Sequence, residues 1–368
     1  MFRLRRVFLI VLAGMLAACA PTGGSAPAST RQPPAGGPTA AGSLPSAATP
    51  AAGGAPPAAT APPAPVALRL GLNTPTANIA PVWVAKEAGF FAKYGIDAEL
   101  TPIPGGERVV SALLSGEVPL TILAGTGLVA ARLGGADLAF YGSLANRLRY
   151  WLYARPEIGT VADLRGRRVA VTSRGGIVRR AADLTLERNG LDPERDVTYV
   201  TTGQITESVT ALLTGAVDAA LLSPPGTFRA EDEGMRLLVN TQEYNFAAVI
   251  SGIASTRGWV GAHEDLARRA LQAIAEGIAY SHREKEPTKA IIARWTQTDD
   301  PVLLERTYVT VAPGWERSLR VPPEAIRNEL DGIAADLPAA RDAAPEQFYD
   351  NRLIDALERD GFFQQLGW

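Results

Sequence analysis

Apolar positions recur along this chain in two matching stretches. VVSALLSGEVPLTIL begins at Val109 and SVTALLTGAVDAALL at Ser208. At that offset of 99 residues Val110, Leu113, Leu114 and Gly116 meet Val209, Leu212, Leu213 and Gly215. The i, i+3, i+4 spacing in each copy predicts one apolar helix face, and the glycine stands where a helix C-terminus favours a residue that accepts positive φ. The run that follows, 118–123 in the first copy, is short, apolar and bounded by glycine, which predicts a strand buried on both faces in a parallel sheet. KYGIDAEL from Lys93 and RNGLDPERDVTYV from Arg188 form a second echo, each reading as a helix end, a glycine (Gly95 or Gly190) and a strand. Two β-α-β-α-β units are therefore predicted, one in each half.

The first unit opens with the strand pattern ALRLGL at 67–72 and the helix pattern APVWVAKEAGFFAKYG, and the strand patterns ADLAFYGS and YWLYA carry it to about residue 154. A new strand at 168–172 begins the second unit, which closes near MRLLVN; NFAAVISGIAS from Asn245 reads as a returning crossover strand. Beyond Gly261 the periodicity is mostly helical, and lobe one is the natural partner for those helices. The expected organisation is an α/β protein of two lobes, with 66–158 and 252–368 in lobe one and 159–251 in lobe two. Hinges are expected near 154–160 and 246–254.

The N-terminus MFRLRRVFLIVLAGMLAAC has three arginines, an apolar stretch and small residues before Cys19. It reads as a secretion signal (residues 1–19) and is too short for a stable membrane span. Leu16, Ala17, Ala18 and Cys19 match a bacterial lipoprotein box, in which the cysteine thiol takes a diacylglyceryl group. Cys19 is the only cysteine, so no disulfide forms within the chain. From Ala20 to Pro65 only Arg31, Gln32 and Leu44 fall outside Ala, Gly, Pro, Ser and Thr, a composition that predicts a disordered tether. Without the three signal arginines, 33 basic residues remain against 38 acidic ones, which argues against a nucleic-acid surface.

APVWVAKEAGFFAKYGIDAEL, ALLSGEV, VADLRGRRVAVTSRGG, GLDPERDVTYV, ALLTGAVDAALLSPP and NRLIDALERDGFF, in this order across 67–363, resemble the substrate-binding proteins of ABC importers. The branch resembled is the one that serves nitrate, sulfonates, taurine and thiamine pyrimidine precursors. The resemblance implies a type II periplasmic-binding-protein fold with two crossovers, a small-molecule solute, a permease with its ATPase as partners, and a monomer tethered outside the cytoplasm through Cys19. It also implies ligand contact at Thr76 and Asn78, which in sequence look the same as helix caps, and at Ser223, Pro224 and Pro225.

Open parallel sheets bind ligands beyond the carboxyl ends of their strands. That rule makes AGTG at 124–127 and SPPG at 223–226 candidate walls of one cleft. Gly125, Thr126 and Gly127 with Ala130 match a dinucleotide fingerprint, but Asp137 comes too early for its acidic partner, so a helix N-terminus offering N–H groups to a small anion is the preferred reading. Ser173, Gly175 and Gly176 repeat that arrangement in lobe two, where Arg174 either adds charge or is solvated. Asn146 is a further candidate at the first crossing, whereas Trp83 and Trp151 read as core.

No cofactor or metal site is expected. His263 and His282 are the only histidines, both fall in C-terminal helical patterns without metal-ligand spacing, and no G-x-S-x-G elbow is present. A solute receptor is therefore preferred over an enzyme on the same fold or a sensor ectodomain, with a sulfonate, a carboxylate, nitrate or a neutral heterocycle all open as ligand.

Overall fold

The computed structural model describes residues 64–368 except 74, 75, 104, 173, 175 and 335. The signal segment, Cys19 and nearly all of the tether, together with Ser173 and Gly175, fall outside the described residues.

In chain order the first unit is β1 (Val66–Leu72), α1 (Ala80–Glu87), α2 (Phe90–Lys93), β2 (Ile96–Pro102), α3 (Gly106–Ser115), β3 (Leu120–Leu123), α4 (Gly125–Leu133) and β4 (Leu138–Ser143). The second is β5 (Trp151–Ala154), β6 (Arg167–Val171), α5 (Ile177–Arg188), β7 (Val197–Thr201), α6 (Ile205–Leu213), β8 (Ala219–Leu222), α7 (Gly226–Asp232) and β9 (Arg236–Asn240). The chain then returns as β10 (Gly252–Thr256), followed by α8 (Arg257–Ala262), α9 (Glu264–Arg283), α10 (Lys285–Thr296), α11 (Pro301–Val311), α12 (Pro323–Ile333), α13 (Arg352–Arg359) and α14 (Phe362–Gln365).

The repeated pattern becomes repeated structure. α3 ends at Gly116 with φ 77°, a left-handed conformation in which glycine has no Cβ penalty. Every residue of β3 and of β8 is buried, because helices cover both faces of each sheet. One sheet has the order β2-β1-β3-β10-β4 and the other β7-β6-β8-β5-β9. Within each, the first three strands are parallel, and one antiparallel strand donated by a crossing is wedged beside the third.

That wedge corrects the sequence-based boundary. Residues 151–154, expected in lobe one, pair antiparallel with β8 and β9 and so belong to the second sheet. Periodicity reports that a run is a strand; its sheet is set by partners some 70 residues downstream in the chain, such as Leu221 opposite Leu152. The first crossing therefore lies at 144–150.

The two crossings pair with each other. Leu148 N–H donates to Phe246 O (3.1 Å), Ala248 N–H to Asn146 O (3.0 Å) and Ile250 N–H to Ala145 O (2.9 Å). Along the second crossing side chains alternate in destination: Ala247 and Val249 enter a lobe-one core, whereas Ala248, with Phe246 and Ile250 beside it, enters the lobe-two core. The period of two that defines an extended chain thus divides one segment between two lobes.

The C-terminal helices cover lobe one. Leu271, Ile274 and Ile278 of α9 join Leu70, Val82 and Trp83 in one core. Gly277 lets α1 approach closely, since a Cβ there would lie 2.3 Å from Pro81 O. Trp83 is fully buried and stacks on Trp295 at 5.3 Å between centroids, while Trp151 packs partly buried against the lobe-two core. Among the described residues no helix is long and apolar enough to cross a membrane.

Candidate functional site

The carboxyl ends of β1, β2 and β3 face those of β6, β7 and β8 across a cavity of about 470 Å³. Thr76 and Asn78 border it after β1, Gly105 and Gly106 after β2, and Thr126 and Gly127 after β3. Lobe two contributes Thr172 and Gly176 after β6, Gly203 and Gln204 after β7, and Ser223 after β8. Tyr150 and Ser251 enter from the crossings. No Asp, Glu, Lys, Arg or His is among the described residues that line it.

Four helices begin at this cavity, and none has a side-chain hydrogen bond at its cap. The capping positions are Gly105 for α3, Ala124 for α4, Gly176 for α5 and Gln204 for α6. A surface helix usually places Ser, Thr, Asp or Asn there to occupy its first N–H groups. Here α4 spends the Gly125 N–H on Val249 O (2.7 Å), while among the described residues no protein acceptor takes the N–H groups of Thr126 and Gly127. Each helix start carries a partial positive charge of roughly half a unit. The small caps Gly105, Ala124 and Gly176 let a ligand approach the backbone, and Gly176 is specifically required, because its φ of 130° lies where a side chain is strained.

The other expected site residues divide by position. Gly125 is buried behind the cavity wall, and Arg174 is exposed and borders a second, adjoining space of about 1150 Å³ that shares Thr126 and Gly176 with the first. Pro224 and Pro225, joined by a cis peptide bond, lead into α7 behind Ser223. Asn146 is 3 % exposed and borders neither space: its Nδ2 donates to Arg320 O at 2.8 Å, which ties the crossing to lobe one. An asparagine at a crossing is legible as polar, but its direction depends on the chain 174 residues away. Neither His263 nor His282 borders either space; burial lowers the pKa of His282, whose Nε2 lies 3.3 Å from Trp315 O.

The sequence reading missed Gly105, Gly203, Gln204 and Tyr150. The loops after β2 and β7 sit 99 residues apart, as those after β3 and β8 do, so extending the carboxyl-end rule to the outer strands would have found them. The reading also missed Glu329, which borders the adjoining space. Its signal is a carboxylate on the apolar stripe of α12, three residues after Ile326 and beside Leu330.

Two α/β lobes, paired crossings and a cleft at the strand ends define the type II periplasmic-binding-protein fold. The family described as NMT1/THI5 like matches residues 76–290, more than half of the chain, and the chain belongs to that family. YtlA of Bacillus subtilis (strain 168) is 22 % identical over 231 residues, which is 61 % of this chain and 69 % of that one. Among solved structures, the alkanesulfonate-binding protein SsuA from Xanthomonas axonopodis pv. citri bound to MOPS superposes with a TM-score of 0.61 at 20 % identity, over 76 % of this chain and 94 % of that one. The periplasmic nitrate-binding protein NrtA from Synechocystis PCC 6803 superposes with 0.63 at 15 % identity, over 80 % and 89 %.

Proposed function

We propose that this protein is the extracytoplasmic solute receptor of an ABC importer, held to the membrane by a lipid on Cys19, and that it delivers a small anion to a permease. The observation that carries this reading is the convergence of four uncapped helix N-termini on a cavity whose described lining is uncharged and mixes polar with aliphatic groups. Such a site supplies N–H donors and positive potential without a fixed counter-charge, so it favours an anion that keeps its own charge. The volume exceeds what nitrate alone would fill and leaves room for an organic anion such as a sulfonate; of the proteins of the same fold, SsuA binds alkanesulfonate and NrtA nitrate. Capture by two hinged lobes stabilises the closed state by its differential affinity for it, and no covalent step is needed.

A thermal-shift screen against nitrate, alkanesulfonates, taurine, aromatic carboxylates and pyrimidines tests this. An anion at a hundred times its Kd is expected to stabilise the protein by about 2.7 kcal/mol. Stabilisation by pyrimidines alone, with none by any anion, would sink the anion reading.

A further inference from the structure

Glu329 is 2 % exposed, and neither of its carboxylate oxygens has a hydrogen-bond partner among the described residues. It lies against the first residue of α4, so near that a Cβ on Gly125 would stand 2.6 Å from Oε1. The carboxyl therefore adjoins a nine-residue helix whose N-terminus opens on the cleft. Among the described residues, the charged and titratable groups that face it are Arg180 from α5 and the Tyr150 phenol ahead of β5; the second crossing presents the Val249 backbone. Arg180 makes no ion pair with it. Its stem packs on Gly332, its Nε is buried without a partner, and its Nη1 lies 3.8 Å from Glu187 instead.

An ionised carboxylate in that position is desolvated with only the Val249 amide, the α4 start and Arg180, which does not pair with it, to offset the cost, whereas a carboxylic acid is cheaper to bury and becomes a donor. We propose that Glu329 is a ligand-recognising acid: in its protonated form it donates its O–H to an oxyanion group seated at the α4 N-terminus, so that the site takes only solutes rich in hydrogen-bond acceptors. Burial holds this carboxyl up to about 8, against the opposing pull of the Val249 amide and Arg180. At neutral pH the proton comes from solvent and stays on Glu329 beside the ligand. Above that range the carboxylate returns and repels the anion.

This inference rests on the anion-receptor reading. Its test is calorimetry with ethanesulfonate and nitrate, neither of which titrates in the range used. Wild-type protein is expected to bind the better probe at least about tenfold more weakly at pH 9.5 than at pH 6.5. Glu329→Gln, which keeps a donor and cannot ionise, is expected to bind within a few-fold of wild type at pH 6.5 and to lose the pH dependence. Flat wild-type affinity, or a fall that persists in Glu329→Gln, overturns the proposal. Should that variant misfold, wild-type titrations at pH 8.5 in two buffers of different ionisation enthalpy decide it: fractional proton uptake on binding is expected, and none overturns it. Stabilisation by an amine such as agmatine, with silence from both anions, would mean that Glu329 binds as a carboxylate acceptor, which overturns this proposal while a cleft receptor stands. Silence from both probe classes removes the receptor reading and the proposal together.

Discussion

Glu329 also makes a prediction about stability. Its folded-state pKa of about 8 lies above the usual 4.5, so folding favours the protonated form. The stability it permits is full below about pH 4.5, declines as pH rises, and reaches its floor above about pH 8. That window corresponds to a loss on the order of 5 kcal/mol. Urea unfolding at pH 6 and pH 9 is expected to show a larger decline for wild type than for Glu329→Gln, and equal declines would show that the carboxyl is not desolvated in the folded state. Glu329 was visible in the sequence as a polar residue on an apolar stripe. Its lack of a partner was not, because Gly125, Arg180 and Val249 come from three other segments.

The helix starts are the informative feature at the scale of elements. Ala124 leaves α4 uncapped, and an Asp cap would satisfy an orphan N–H. Ala124→Asp is expected to stabilise the fold by about 0.5–2 kcal/mol while weakening anion binding by tenfold or more, because it places a carboxylate where the solute's charge would sit. Unfolding and titration of the same preparation check both signs, and unchanged anion affinity would place the ligand elsewhere. The elements themselves were largely legible. The run after Gly116 became β3 and that after Gly215 became β8, since a short apolar run opened by a helix-closing glycine leaves few alternatives. The strand 151–154 was recognised as a strand but assigned to the wrong sheet, because strand pairing is a long-range property.

Contact between the lobes extends beyond the cleft itself. Arg306 on α11, in lobe one, pairs with Asp232 at 3.0 Å and with Glu231, both on α7 of lobe two, and its guanidinium covers the Phe228 ring at 4.4 Å. These side chains remain partly exposed to solvent, so the pair adds little to overall stability. It still acts on the difference between open and closed lobes, because it forms only when α11 and α7 meet. Arg306→Ala is expected to leave the melting temperature within about 2 °C and to weaken solute binding several-fold, the loss shrinking as salt rises. A large fall in melting temperature would instead make Arg306 part of the fold's core support.

By itself the sequence determined that two similar parallel units exist, where their central strands run, which glycines close their helices, and that the loops after those strands wall one cleft. Each of these follows from short-range periodicity and backbone sterics, which neighbouring residues encode. Only the tertiary structure decided that β5 joins the second sheet, that Asn146 turns away from the cleft toward Arg320, and that α3 and α6 bring two further bare N-termini to the same cavity. It also set a carboxyl from α12 against the start of α4. These juxtapositions join residues tens to hundreds of positions apart, and their energies arise from desolvation and packing that exist only once the chain has closed on itself.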